Sequence, residues 1–423
     1  MNVMVVGSGG REHAIIKKLK ENKQITNLYA VPGNGGMNKE AILVPIGAKD
    51  LDKICEFAVE NKIDFAVVAP DDPLVLGLVD KLNEVGIECF GPTKNAAIIE
   101  GSKAFSKNLM KKYNIPTAEY ENFTDMNKAL EYLDKKTAPI VIKADGLALG
   151  KGVIIAQTIA EAKQAVIEMM ANGKFGESGN TVVIEEFLEG PEVSVLAFTD
   201  GNIVVPMVSS MDHKRALDND QGLNTGGMGT IAPNPYYTKD IANVCMQTIF
   251  KPTIEAMNKE GRTFKGCLYF GLMLTKNGPK VIEYNCRFGD PETQVVLPLM
   301  QSDLLTVMQK TARGTLTEGD VKFSNDFACC VIKASNGYPE SYQKGFEIIQ
   351  TEQIDGEVFV AGAKLENDKL LTNGGRVLGV TATANSLKGA IDKCYKQIDK
   401  INFKNAFYRK DIGQRALKAM ENK

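Results

Sequence analysis

KVIEYNCRFGDPETQ, residues 280–294, begins as an apolar strand and ends in a polar loop. Side chains alternate along a strand, so Glu283, Asn285 and Arg287 fall on one face. Packing alone does not account for three polar residues on one face of an apolar strand. A carboxylate and an amide oxygen are hard ligands of the kind Mg²⁺ takes together with phosphate oxygens and water. Arg287 beside them suits a transferred phosphoryl group or a substrate carboxylate. Upstream, LYFGLMLTKNGPKVIEYN reads as a hairpin turning at Asn277-Gly278, and SVLAFTDGNIVVPMV as another turning at Asp200-Gly201. Residues 191–325 are therefore expected to form an antiparallel lobe.

Three features precede this lobe. VVIEEFLEGPEVSV runs a buried strand into Glu185, Glu186, Phe187 and Leu188, with Glu192 shortly after. Backbone groups at a strand exit can read an adenine edge, and a nearby carboxylate can accept from ribose hydroxyls. The same pattern also fits a solvated strand end. Lys143 closes the apolar strand of PIVIKADGLALGKG and leads into Gly146, Gly150 and Gly152, an arrangement suited to a polyphosphate. Lys103 lies in EGSKAFSK. No G-x-x-x-x-G-K-[ST] is present, so this is not a Walker-type site. Each lysine alone also reads as a solvated surface charge.

The first hundred residues alternate strand and helix patterns and predict a doubly wound parallel sheet. Its strands are expected at 3–6, 27–31, 42–45, 65–69 and 88–90, with helices at 50–61 and 73–85. Another helix is predicted over 94–113, ended by Asn114-Ile115-Pro116. The opening MNVMVVGSGGREHAI outlines a strand, a Gly-rich turn and a helix. A dinucleotide site would need a third glycine where Glu12 stands. It would also need an acid after the second strand, where Pro32-Gly33-Asn34 stands. A single phosphorylated ligand at the helix N-terminus, near Gly9, Gly10 and Arg11, fits better.

The chain has 423 residues, more than one hydrophobic core usually serves, so several domains are expected. With 50 basic and 52 acidic residues, no global field favours nucleic acid or an anionic membrane. No apolar run is long enough to span a bilayer, and the N-terminus does not read as a signal peptide. The eight cysteines include no C-x-x-C and read as reduced, mostly buried thiols of a cytoplasmic protein. Two histidines exclude a histidine-rich metal site.

The lysines, the strand exit and the 283–287 face, in this order, resemble the ATP-grasp superfamily. GSGGREHA, PGN, ADGLALGKGV, DHKRALDND, NTGGMG, YNCRFGDPETQ, TNGGRVLGVTA and YRKDIG extend the resemblance along the whole chain to the glycinamide ribonucleotide synthetase family. The resemblance implies a multidomain α/β and α+β fold. A doubly wound substrate domain would span 1–102. ATP-grasp lobes would span 103–325, with a lid at about 119–189, and a small α+β domain 326–423. It implies ligation of glycine to 5-phosphoribosylamine with ATP, the second step of purine synthesis, in a cytoplasmic, monomeric protein. Lys103, Lys143, Gly150, Lys151 and Gly152 would border the ATP phosphates. Glu185, Glu186, Phe187 and Leu188 would hold adenine, and Glu192 the ribose. Glu283 and Asn285 would bind Mg²⁺ or Mn²⁺. Arg287, Asp212, Lys214 and Arg215 would serve the reacting anions, and His213 is a candidate proton carrier. Gly9, Gly10, Arg11, Asn34, Asn224, Gly226 and Gly227 would face the substrates. Another ATP-grasp ligase or carboxylase is one alternative, and a nucleotide-sensing binding protein another. Three departures stand out: Gly271 replaces an acidic metal ligand, Asp71 replaces a glutamate, and VFVAGA replaces VFHAGT.

Overall fold

The computed structural model describes residues 1–147, 152–171 and 176–421. Gly150 and Lys151 lie outside the described residues.

Val3, Met4, Val5 and Val6 are all fully buried, as a central parallel strand requires. Their strand, Asn2–Gly7, sits in the middle of a five-stranded parallel sheet. The order is Ile42–Leu43, Asn27–Pro32, Asn2–Gly7, Phe65–Val68, Glu88–Phe90. Met4 and Val6 join one core and Val3 and Val5 another, so both faces are covered.

Two helices expected to be continuous are broken. The 73–85 pattern forms Asp71–Leu76 and Leu78–Glu84, because Gly77 takes φ +96° between them. The 94–113 pattern forms Lys94–Gly101 and Lys103–Lys112. Ser102 is extended there, and its Oγ caps Phe105 N. Asp145 completes the break: its carboxylate accepts from Ala104 N at 3.0 Å and Ser102 Oγ at 3.1 Å. A polar residue from a distant strand exit thus starts the helix that carries Lys103.

The segment expected as a lid is a four-stranded antiparallel sheet in the order Tyr120–Phe123, Val182–Glu186, Ile140–Ala144, Val153–Ala156. Helices Met126–Leu133 and Ile159–Met170 pack on it around a separate core. The next lobe is antiparallel, ordered Val204–Pro206, Glu192–Thr199, Gly266–Thr275, Gly278–Asn285, and both expected hairpin turns are present.

The last sheet has six strands. Phe327–Ser335, Arg376–Ala384, Glu357–Val360 and Ala406–Phe407 come from the C-terminal hundred residues. Met211–Asp212 and Gly229–Ala232 are contributed from earlier in the chain. The segment carrying Asp212 is therefore built into the edge of the C-terminal sheet.

The first and last domains meet at VFVAGA. His13 Nδ1 accepts from Val360 N at 2.8 Å, and Asn34 Nδ2 donates to the Val360 carbonyl at 2.8 Å. A Cβ on Gly36 would stand 2.3 Å from Val360 Cβ, so glycine is needed for this approach. Gly36→Ala is expected to cost about 2 kcal/mol by overpacking, read as a lower urea midpoint. An unchanged midpoint would mean the junction gives way freely.

All eight cysteines are free, seven buried and Cys55 half-buried. Among the described residues, no helix is long and apolar enough to cross a membrane.

Candidate active site

The antiparallel ladder places Glu283 directly across from Gly271. A Cβ on Gly271 would lie 3.1 Å from Glu283 Cγ, so the missing acid would have stood beside the one that remains. Glu283 is about a third exposed, at 32%. Burial pushes its carboxyl up, but Lys214, Lys143, Lys103 and Arg287 outweigh that and hold it below the usual range. Four cations from four separate segments thus converge on one carboxylate. Lys214 Nζ lies 3.7 Å from Glu283 and 3.5 Å from Glu192, and Glu192 above all raises its pKa. Glu192 is thereby brought to the same cluster.

Lys103 follows its helix break and donates to the Gly146 carbonyl at 2.6 Å. Burial lowers its pKa. Lys143 Nζ donates to the Ile282 carbonyl at 3.1 Å and lies 3.1 Å from Glu185 Oε1. Gly152 is tied to the same strand, its carbonyl accepting from Ala144 N at 2.8 Å. The Glu185 carboxylate is buried between two lysines, the second being Lys107 at 3.0 Å. Glu186 is held by Lys280 at 2.6 Å. The Glu185 side chain faces the two lysines, whereas the Glu186 side chain is 38% exposed. The backbones of Phe187 and Leu188 make no hydrogen bond among the described residues, which leaves their N–H and C=O groups open.

Arg287 is held by Glu100, with Nη2 2.9 Å from Oε1, and Asp71 lies at 4.0 Å. The Asn285 amide is best placed with its nitrogen donating to Glu100 Oε1 at 2.9 Å and the Tyr284 carbonyl at 3.2 Å. Its oxygen belongs to the strand face that also carries Glu283, two residues earlier. These two hard oxygen donors fit a divalent cation that draws its other ligands from phosphate and water. No group of three His, Cys, Asp or Glu residues forms a metal cage among the described residues.

On the same sheet, Ser194 pairs across from Gly271 on the side away from Glu283; its Oγ donates to Glu292 Oε1 at 3.1 Å and lies 2.9 Å from Tyr269 Oη. Asp212 faces Glu292. Burial first, then this second carboxylate, raises its pKa well above the usual range against Lys214 and Arg376. A Cβ on Gly227 would meet Asp212 Oδ1 at 2.6 Å and Pro291 Cδ at 2.4 Å. Arg376 Nη1 donates to the Gly226 carbonyl at 2.6 Å and the Asp290 carbonyl at 3.0 Å.

Several expected site residues are occupied elsewhere. Glu12 Oε2 accepts from Gly9 N at 2.6 Å, and Asp290 Oδ2 lies 3.4 Å from Arg11 N. Arg11 pairs with Glu12 at 2.6 Å and donates to the Phe288 carbonyl at 3.1 Å. A Cβ on Gly10 would strike Gln294 Nε2 at 2.7 Å. In this structure two carboxylates of the protein, Glu12 and Asp290, meet backbone N–H groups of this helix N-terminus. Asn34 donates to the Ser8 and Val360 carbonyls and so links the first and last domains. Arg215 folds onto the Gly222 carbonyl of its own hairpin, and Asn224 is exposed across from it. Neither is in contact with the Glu283 cluster.

Both ring nitrogens of His213 face backbone groups. Its Nδ1 lies 3.1 Å from the Gly229 carbonyl, and its Nε2 accepts from Gly413 N at 3.2 Å. The neutral Nδ1–H tautomer satisfies both. Burial and then Arg409 lower its pKa to about 4. The unfolded state takes up a proton first, so this stabilisation is complete above about pH 6.5 and fades as pH falls toward 4. The expected loss is about 3 kcal/mol. His213→Gln should flatten that slope in urea titrations across the window. An equally steep slope would contradict the neutral assignment.

Glu100, Lys107 and Arg376 were not singled out from sequence. The only signal for Glu100 and Lys107 was their place in EGSKAFSK, flanking Lys103.

The lobes, the lid and the lysine–carboxylate cluster between them define an ATP-grasp enzyme. The fold is similar to that of Campylobacter jejuni biotin carboxylase (TM-score 0.76, 14% identity, 96% of this chain and 92% of that one). The chain belongs to the phosphoribosylglycinamide synthetase family: the models of its N domain, ATP-grasp (A) domain and C domain match residues 1–100, 101–293 and 328–415. It is 47% identical over 413 residues to phosphoribosylamine–glycine ligase of Caldanaerobacter subterraneus, covering 97% of this chain and 99% of that one. It is 46% identical over 429 residues to that of Escherichia coli O157:H7, covering 100% of each. The crystal structure of the Thermotoga maritima phosphoribosylamine–glycine ligase matches with a TM-score of 0.84 at 34% identity, over 97% of this chain and 100% of that one.

Proposed function

We propose that this chain joins glycine to 5-phosphoribosylamine, consuming ATP and releasing ADP, phosphate and glycinamide ribonucleotide. The observation that carries this reading is the convergence of Lys103, Lys143, Lys214 and Arg287 on Glu283. Such a cluster suits a polyphosphate with its cation and a carboxylate to be activated.

A carboxylate is a poor acyl donor because its oxide leaves badly. Transfer of the γ-phosphoryl group to the glycine carboxylate breaks the terminal P–O bond of ATP and forms glycyl phosphate. The amine of phosphoribosylamine then attacks the acyl carbon and phosphate leaves. Lys103 and Lys143 bind the ATP phosphates, Phe187 and Leu188 offer backbone groups to adenine, and Glu192 meets the ribose. Arg287 and Lys214 neutralise the reacting anions. Glu283 and Asn285 would hold Mg²⁺ or Mn²⁺, which would supply charge neutralisation to the phosphoryl group. The acidic pair Asp212 and Glu292 suits a substrate ammonium, and Gly226 and Gly227 shape the wall beside it. The lid excludes water that would hydrolyse glycyl phosphate. No protein nucleophile is needed. The protein acts in the cytoplasm.

Purified protein should release ADP stoichiometrically with product only when glycine and phosphoribosylamine are both supplied. ADP release driven by bicarbonate instead of glycine would favour a carboxylase. ATP binding without turnover would favour a nucleotide sensor.

A further inference from the structure

Lys107 has no place in the reaction described above, yet its side chain is only 2% exposed. Its Nζ donates to Thr117 Oγ1 at 2.7 Å and lies 3.0 Å from Glu185 Oε2. Lys143 lies 3.1 Å from the other oxygen, Oε1. The result is a buried cation–anion–cation row with a net charge of one. Both lysines flank Glu185 at near-equal distances and each also donates elsewhere, Lys107 to Thr117 Oγ1 and Lys143 to a backbone carbonyl. Lys143 directs a hydrogen at the Ile282 carbonyl, and Glu185 Oε1 receives no aligned hydrogen bond. Lys143 thus neighbours Glu185 without being spent on it.

We propose that Lys107 is a positioning residue for ATP. It shares the Glu185 charge, so that Lys143 presents a net positive charge to the nucleotide phosphates. Without Lys107, Glu185 has Lys143 as its one cation. A buried carboxylate left with one partner draws that partner in, because a low-dielectric site penalises an uncompensated charge. The phosphates would then meet a neutral pair. The inference rests on the reading of Lys143 as a phosphate ligand. A purely structural role for Lys107 is the competing account, since Thr117 Oγ1 also donates to the Val281 carbonyl at 2.7 Å and links the lid's root to the catalytic strand.

The test is steady-state kinetics on the full chain with K107M, K107M/E185Q and K143M. K107M should raise the KM for ATP about tenfold while moving that for glycine by less than about twofold. K107M/E185Q removes one charge of each sign and restores the net charge, so it should recover most of the ATP effect. A double variant no better than K107M, or equal rises in both KM values, would overturn the proposal in favour of the structural role. If K107M does not fold, K107Q carries the same comparison with Thr117 still hydrogen-bonded. K143M separates the two levels. An unchanged ATP KM in K143M removes the reading of Lys143. A raised KM there, with K107M like wild type, removes the role of Lys107 alone.

Discussion

Glu283→Ala lowers kcat by about three orders of magnitude and leaves the protein folded. The side chain is 32% exposed, so its removal opens no sealed cavity. Its strand is held by backbone pairing to Gly266–Thr275, which the substitution does not touch. Chemically the change is severe. Lys103, Lys143, Lys214 and Arg287 lose the carboxylate they converge on, and a proposed cation loses its one charged protein donor. Gly271 supplies no second acid to compensate. The check is kcat at saturating substrates beside a thermal unfolding curve. Normal turnover in a folded variant would remove Glu283 from the chemistry.

Arg287→Met is expected to damage both stability and activity. Its guanidinium lies 2.9 Å from Glu100, which also accepts from Cys286 N at 2.7 Å. Burial, opposed first by Arg287, already raises the Glu100 pKa. Losing the arginine leaves that carboxylate without its charge partner, at a cost of about 3 kcal/mol. The loss of an anion-stabilising donor should cost about a hundredfold or more in kcat. The double variant R287M/E100Q separates the effects: it should regain most of the stability and none of the activity. Recovery of activity would mean that Arg287 serves only the fold.

Local patterns made much of the fold legible. The first five strands followed from short apolar runs between helical patterns, and both hairpins from Asx-Gly pairs. The 283–287 face followed from period-two alternation. Breaks that depend on distant residues did not. Ser102 interrupts a helical pattern because Asp145, forty-three positions away, binds the next helix start. The opening glycines read as an empty anion site. Asp290, 279 positions from Arg11, reaches the turn, and the local acid Glu12 folds back onto it. Asn34 looked polar and loop-borne, as a ligand residue would be, and its partner Val360 lies 326 positions on. Glu100, Lys107 and Arg376 matter through such long-range charge pairings, for which one sequence has no periodic signature.

The central claim is that glycine is activated by phosphoryl transfer onto its carboxylate. The most direct test supplies glycine labelled with ¹⁸O in both carboxyl oxygens, together with ATP and phosphoribosylamine, and measures the phosphate released. If glycyl phosphate forms, one labelled oxygen per turnover moves from glycine into inorganic phosphate and the other stays in the product amide. Phosphate free of label, with product still formed, would contradict the account.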